Sequence, residues 1–330
     1  MAVACVLAAV PTLVVGGEVP RVEVVATGFV RPIQLAFDGP GRLVVLSHGR
    51  SDTAAAEIVW LDLGGAPVDA SRLPRVVVPF ATEPRKASFG SLAVDPSSGD
   101  LLLGEENGNR IYRFSADRRL TSLAVGLQHL VGGSAFAVDR HGRLVVVDYL
   151  SADTQLRSET PPPPGLDVLS DRNYQGPLIF RIDLNDEGPR PRRLDLVAPL
   201  FPRRLTPTPG REPLPRFVSV AARPDGEVIV LSSLGEVWTL TAGGDFSLLA
   251  RLPSGNYQRI SMALAPDGSV FVSSGLHIRE IFRVSADGVV TTIARGLGDP
   301  EGIAVDRSGA LYVAETALHR IIRIAPVGRR

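Results

Sequence analysis

The 330-residue chain has one cysteine, Cys5, and one lysine, Lys86, among its 35 basic residues. A single cysteine excludes a disulfide framework, a thiolate zinc site and a Cys-x-x-Cys redox pair. A single lysine leaves Schiff-base chemistry one candidate. Net charge is missing too, because 35 basic residues balance 35 acidic ones. Nothing at whole-chain level therefore steers the chain toward nucleic acid or an anionic membrane. No apolar run reaches the roughly 20 residues that a membrane helix needs. What the chain does have is 45% hydrophobic residues, 33 Gly and 27 Pro, which gives a turn-rich sequence with enough apolar material for a folded core and excludes disorder.

Residues Ala2 to Val15 form a nearly uncharged apolar run, followed by Gly16 and Gly17 and then by the first charges, Glu18 and Arg21. Although no Lys or Arg precedes it, the run has the length of the apolar core of a secretory signal and ends in small residues suited to cleavage. The reading is a signal peptide over 1–17 and a domain over 18–330, in a bacterial protein located outside the cytoplasm, periplasmic or secreted.

The domain is built from a repeat. Six segments read as an apolar strand, a tight turn with Gly and a second apolar strand: 35–46, 92–104, 136–147, 220–231, 262–273 and 303–314. Third strands follow at 110–114, 177–184, 236–240, 280–284 and 320–324, and fourth strands at 121–125, 246–250 and 290–294. The C-terminal copies recur at about 42 residues, the period of a propeller blade. The fold class is therefore all-β: a six-bladed β-propeller of four-stranded antiparallel blades. The last copy ends after three strands, and an unpaired strand, VEVVA at 22–26, precedes the first. That N-terminal strand is expected to complete the last blade and cover its edge. Asp38, Asp139 and Asp306 read as turn residues, because an aspartate there can accept backbone N–H bonds while the following Gly takes positive φ.

At 104–114 (GEENGNRIYRF), 314–324 (AETALHRIIRI) and 299–315 (DPEGIAVDRSGALYVAE), the chain resembles the NHL-repeat family and the wider six-bladed propellers that include gluconolactonase-like and quinoprotein sugar-dehydrogenase-like proteins. The resemblance implies a central pocket whose chemistry differs between families. Gluconolactonase-like members hold a divalent cation with a Glu, an Asn and an Asp near the tunnel mouth. Where their motifs stand, this chain has Pro300-Glu301-Gly302 and Arg259-Ile260-Ser261.

Blade connectivity puts the long excursions on one face, among them the insertion at 149–176 and the Arg/Pro-rich connection at 185–216. Lengthened loops are where binding groups sit. Polar residues at strand ends on that face give the candidate site. Arg31, Gln34, His48, Glu106, Asn107, Arg259, His277 and His319 are candidates for ligand binding, while Glu105, Asp148, Glu301 and Glu315 are candidates for holding calcium, a cation that favours oxygen donors. No catalytic residue is assigned, since no nucleophile with a visible base emerges. The leading function is a secreted, monomeric propeller that binds a small molecule, peptide or glycan on its loop-rich face, with no nucleic-acid partner and no transmembrane segment. The alternatives are a calcium-dependent lactonase or hydrolase of a sugar-like ester and, third, a quinone-dependent sugar oxidoreductase.

Overall fold

The computed structural model describes residues 21–48, 55–65, 67–78, 88–106, 108–127, 130–148, 178–186, 188, 190–194, 216–241, 245–275 and 277–326. The segments 1–17 and 149–176, Asn107, and most of 185–216 lie outside the described residues.

The chain folds into six sheets in chain order. Blade 1 holds Pro32–Phe37, Arg42–Ser47, Glu57–Asp62 and the short Val76–Val77. Blade 2 holds Phe89–Val94, Leu101–Glu105, Arg110–Phe114 and Leu120–Val125. In blade 3 the described strands are Phe136–Val138, Arg143–Asp148 and Leu178–Asp183. Blade 4 holds Phe217–Ala222, Val228–Ser232, Glu236–Leu240 and Phe246–Arg251, and blade 5 holds Met262–Leu264, Val270–Ser273, Glu280–Val284 and Val290–Arg295. Blade 6 combines Pro300–Val305, Leu311–Glu315 and Arg320–Ile324 with Val22–Thr27 from the other end of the chain. That last strand pairs antiparallel in the expected register, Val22 opposite Ile324 and Val24 opposite Ile322. Inner strands touch their neighbours all the way round, blade 6 against blade 1 included, so the ring is closed.

The continuous apolar runs have a direct reason. A strand sends alternate side chains to opposite faces, and in a propeller both faces of a blade are covered by its neighbours. In Arg42–Ser47, Val44 and Leu46 pack into the cluster shared with blade 2, whereas Leu43 and Val45 pack into the one shared with blade 6. The same division produces clusters between blades 2 and 3, 3 and 4, 4 and 5, and 5 and 6. The core is thus six wedges arranged about an axis.

Asp139 and Asp306 behave as the turn residues expected. Asp139 Oδ1 accepts the backbone N–H of His141 at 2.8 Å and of Arg143 at 3.0 Å. Burial opposes its charge, but those N–H groups and the Arg143 guanidinium prevail and hold the carboxyl below its usual range. Asp306 Oδ1 likewise accepts from Ser308 N at 2.8 Å and Ala310 N at 3.0 Å.

Candidate functional site

Four inner strands carry a β-bulge at their first residues, between Pro32 and Gln34, Phe89 and Ser91, Phe217 and Ser219, and Pro300 and Ile303. A bulge re-aims side chains and recurs at barrel rims and beside active sites. Here the bulges bring side chains from several blades together at the loop-face end of the axis.

Below that mouth the axis is plugged. Ser134 N donates to Ile260 O at 2.9 Å, directly joining blade 3 to blade 5. Gly133 holds φ +102, and a Cβ there would lie 2.1 Å from the Ile260 carbonyl oxygen, so only glycine fits. Ser261 Oγ donates to Gln34 Oε1 at 3.0 Å, joining blade 5 to blade 1, and both residues are buried. Gly302 lies against the Gln34 backbone for the same reason of space. These contacts link non-adjacent blades across the axis.

Above the plug sits a charged cluster. Arg259 Nε forms an ion pair with Glu106 Oε1 at 3.0 Å, and His48 Nε2 lies 3.6 Å from Glu106 Oε2. His48 Nδ1 is 3.3 Å from Ser88 Oγ, and the His48 N–H donates to Arg31 O at 3.1 Å. Arg31 N in turn donates to His319 Nδ1 at 3.2 Å. Glu301, in the blade 6 bulge, is 4% exposed. Burial pushes its carboxyl up to about 7; Arg259 opposes this, Glu106 and Asp299 add to it, and Arg31 opposes it.

The backbone here is unusual. Arg31, Arg259, Asp299 and His319 hold left-handed φ of 49°, 51°, 50° and 55°. Each such residue costs on the order of 1–2 kcal/mol, and such strain gathers at functional sites. Arg31 and Asp299 hold it directly before the prolines that open inner strands.

Of the candidates, Arg31, Gln34, His48, Glu106, Arg259, Glu301 and His319 are thus gathered around one end of the axis. His277 is exposed and makes no hydrogen bond or ion pair with them. Asn107 lies outside the described residues. The four calcium candidates are not brought together: among the described residues no group of three or more His, Cys, Asp or Glu side chains is placed to hold a metal ion. The physical reason is clearest at Glu315, which is 0% exposed. Its Oε1 accepts Gly298 N at 2.8 Å and its Oε2 accepts Arg320 Nε at 2.5 Å. Those bonds tie the blade 5–6 connection to the third strand of blade 6. Glu105 lies half-buried beside Arg110, the equivalent hairpin position, its carboxyl raised by burial with Arg110 opposing. Asp148 is buried in blade 3.

Sequence reasoning gave Ser88, Ser134 and Ser261 no place in the site. The Gly132-Gly133-Ser134 run, ahead of an inner strand in a region of otherwise apolar residues, was the available signal for a close backbone approach.

No protein-family model matches the chain, and no curated protein matches it in sequence. Solved structures match over nearly its whole length. A streptogramin B lyase is 15% identical at a TM-score of 0.56, covering 93% of this chain and 99% of its own. A catalytically inactive virginiamycin B lyase from Staphylococcus aureus, solved with quinupristin, is 12% identical at 0.58, covering 93% and 100%. A gluconolactonase from Xanthomonas campestris is 16% identical at 0.58, covering 93% and 89%. The likeness is one of fold, and it bears out the gluconolactonase-like propeller resemblance at that level.

Proposed function

We propose that the chain binds a small polar molecule at the loop-face mouth of its axis, with Arg31 and Arg259 as donors to the ligand's oxygens. The observation that carries this is the Arg259–Glu106 pair with the buried Glu301 beside it: strained backbone holds charged groups from blades 1, 2, 5 and 6 at one point. Preorganised polar groups at the end of a concave axis fix a ligand's orientation. On this reading a leader over 1–17 takes the chain out of the cytoplasm, where it binds as a monomer. The test is a thermal-shift panel of sugars, sugar lactones and short peptides on the full chain. A ligand that binds only the folded state raises Tm. The reading requires at least one such ligand, with its shift lost in Arg259→Gln; a panel without shifts, or shifts indifferent to that substitution, would overturn it.

A second reading has its own observation. A carboxyl that titrates at about 7 exchanges its proton at physiological pH, which suits a general acid or base. In this reading the chain is a lactone hydrolase or a lyase, in keeping with the activities named for the gluconolactonase and the streptogramin lyase that share its fold. Glu301 acts as the proton-transfer group and Arg259 or Arg31 stabilises the developing oxyanion. The calcium set of Glu105, Asp148, Glu301 and Glu315 does not fit the geometry described above, so no step is routed through a metal. Hydrolysis of gluconolactone with a rate inflection near pH 7, abolished in Glu301→Gln, supports this reading; a profile flat through neutral pH removes it.

A further inference from the structure

Three polar side chains at the loop-face ends of blades 1 and 2 stand in line. His48 directly follows the second strand of blade 1, Ser88 directly precedes the inner strand of blade 2, and Glu106 directly follows the second strand of that blade. Ser88 Oγ lies 3.3 Å from His48 Nδ1, and His48 Nε2 lies 3.6 Å from Glu106 Oε2. The ring thus stands between a hydroxyl at one nitrogen and a carboxylate at the other. A hydroxyl next to a base that a third group orients is the arrangement that activates a serine.

The order is fixed from the backbone outward. Glu106 N donates to Ser88 O at 2.6 Å, and His48 N donates to Arg31 O at 3.1 Å. The Glu106 side chain has little room to turn: a Cβ at Gly90 would lie 2.9 Å from its Cβ, and one at Gly132 would lie 2.9 Å from its Oε1. Arg259 takes Oε1, which leaves Oε2 facing the ring. The side chains of Glu106 and His48 are 7% and 13% exposed, so water screens the pull of the carboxylate on the ring only weakly. Ser88 is half-buried, with part of its surface open to solvent. In a site without substrate such contacts are often this long, and they tighten when substrate binds.

We propose that Ser88 is a nucleophile that takes the acyl group of a small carboxylic ester, with His48 as its base and Glu106 as the residue that positions the ring. With the proton on Nε2 facing Glu106, Nδ1 is the acceptor for the Ser88 hydroxyl. As Oγ bonds to the ester carbonyl carbon, its proton passes to Nδ1 and the carbonyl electron pair moves onto oxygen. Return of that pair breaks the bond to the alcohol oxygen, which leaves with the proton from Nδ1, and Ser88 carries the acyl group. Water then attacks the acyl-serine by the same proton route, freeing the carboxylic acid and restoring the hydroxyl. The step is independent of both readings above, since it requires neither a ligand on Arg31 and Arg259 nor a proton on Glu301.

The test is reaction of the full chain with p-nitrophenyl acetate and, separately, with diisopropyl fluorophosphate, read by nitrophenolate release and by mass spectrometry of the quenched protein. Each reagent is expected to leave its acyl or phosphoryl group on Ser88 of the folded chain, and the fluorophosphate to abolish nitrophenolate release. Urea-unfolded chain gives no adduct. Ser88→Ala removes the adduct, and His48→Gln slows its formation at least about 100-fold. Glu106→Gln lowers kcat for p-nitrophenyl acetate at least about tenfold with KM unchanged, the split expected of a group that acts through the ring. Melting curves of the variants set the folded fraction at which rates are compared. The proposal is overturned by the absence of an adduct on Ser88 with either reagent, by an adduct that forms as fast in the unfolded chain, or by wild-type rates in His48→Gln or Glu106→Gln. None of these outcomes depends on the thermal shifts that test the binding reading, so the two can fail separately.

Discussion

Arg259 of blade 5 and Glu106 of blade 2 meet across the axis at 3.0 Å, although these blades stand opposite each other in the ring of six. The Glu106 side chain is buried while that of Arg259 is a third exposed, so removing the arginine strands the buried charge. Glu106 would then be buried with Glu301 close by and one cation fewer. Arg259→Gln is expected to lower stability by about 2 kcal/mol in urea denaturation, within the range for a hydrogen bond to a charged group. The double variant Glu106→Gln/Arg259→Gln recovers most of that loss; equal destabilisation in single and double variants would show that the pair is not coupled.

Glu301 makes stability depend on pH in a defined window. Its carboxyl is raised from 4.5 to about 7 in the fold, so between these values the folded state binds more protons than the unfolded state. The stabilisation is fully present below pH 4.5 and is lost as pH rises through 7. The shift corresponds to about 3 kcal/mol. Glu301→Gln, which keeps the shape of the protonated acid, should match the wild type at pH 5 and exceed it at pH 8. Chemical denaturation at the two pH values reads the difference directly, and a variant weaker at both would contradict it.

Glu315 is a structural residue by its contacts, so its substitution should reduce folding stability. With its carboxylate removed, Arg320 loses an acceptor at 2.5 Å and Gly298 N another at 2.8 Å. Glu315→Ala should cost about 3–5 kcal/mol, as for a buried pair broken on one side, seen as a lower Tm. Calcium should raise the Tm of neither the wild type nor this variant; a calcium-induced rise in the wild type that is lost in Glu315→Ala would reinstate this residue as a ligand.

Gly302 closes the ring between blades 6 and 1. A Cβ there would lie 2.6 Å from both Gln34 Cα and Ile33 O, which are backbone atoms unable to rotate away. Gly302→Ala should destabilise the fold by about 1–3 kcal/mol, the range for overpacking. Gly64→Ala, where nothing lies within 4 Å, is the matched control. Similar melting temperatures for the two variants would show that the blades do not approach this closely.

Much of this was legible in the sequence for a physical reason. A blade buries both faces between neighbours, so its strands appear as short apolar runs punctuated by Asp and Gly, and six such copies mark six blades. The closing strand was legible because the last copy, ending at Ile324, lacked a fourth strand while 22–26 lacked a partner. Arg31, His48, Glu106, Arg259 and Glu301 were legible as polar residues at strand ends on one face. What each carboxylate does was not. Glu315 lies opposite Arg320 across a hairpin, and Glu105 keeps the same five-residue spacing to Arg110; both were read as ligands although the spacing also fits a cross-strand ion pair. The plug was hidden because it depends on non-adjacent blades approaching closely, which no local pattern encodes.

The pairing of Val22–Thr27 with Arg320–Ile324 joins segments from the two ends of the described chain. Bringing such distant segments together carries the largest loop-closure entropy in the molecule. During synthesis the N-terminal strand must wait for its antiparallel partner until Arg320–Ile324 has left the ribosome. The ring is therefore latched only once Arg320–Ile324 is available, and until then blade 6 presents a bare strand edge to any other chain nearby.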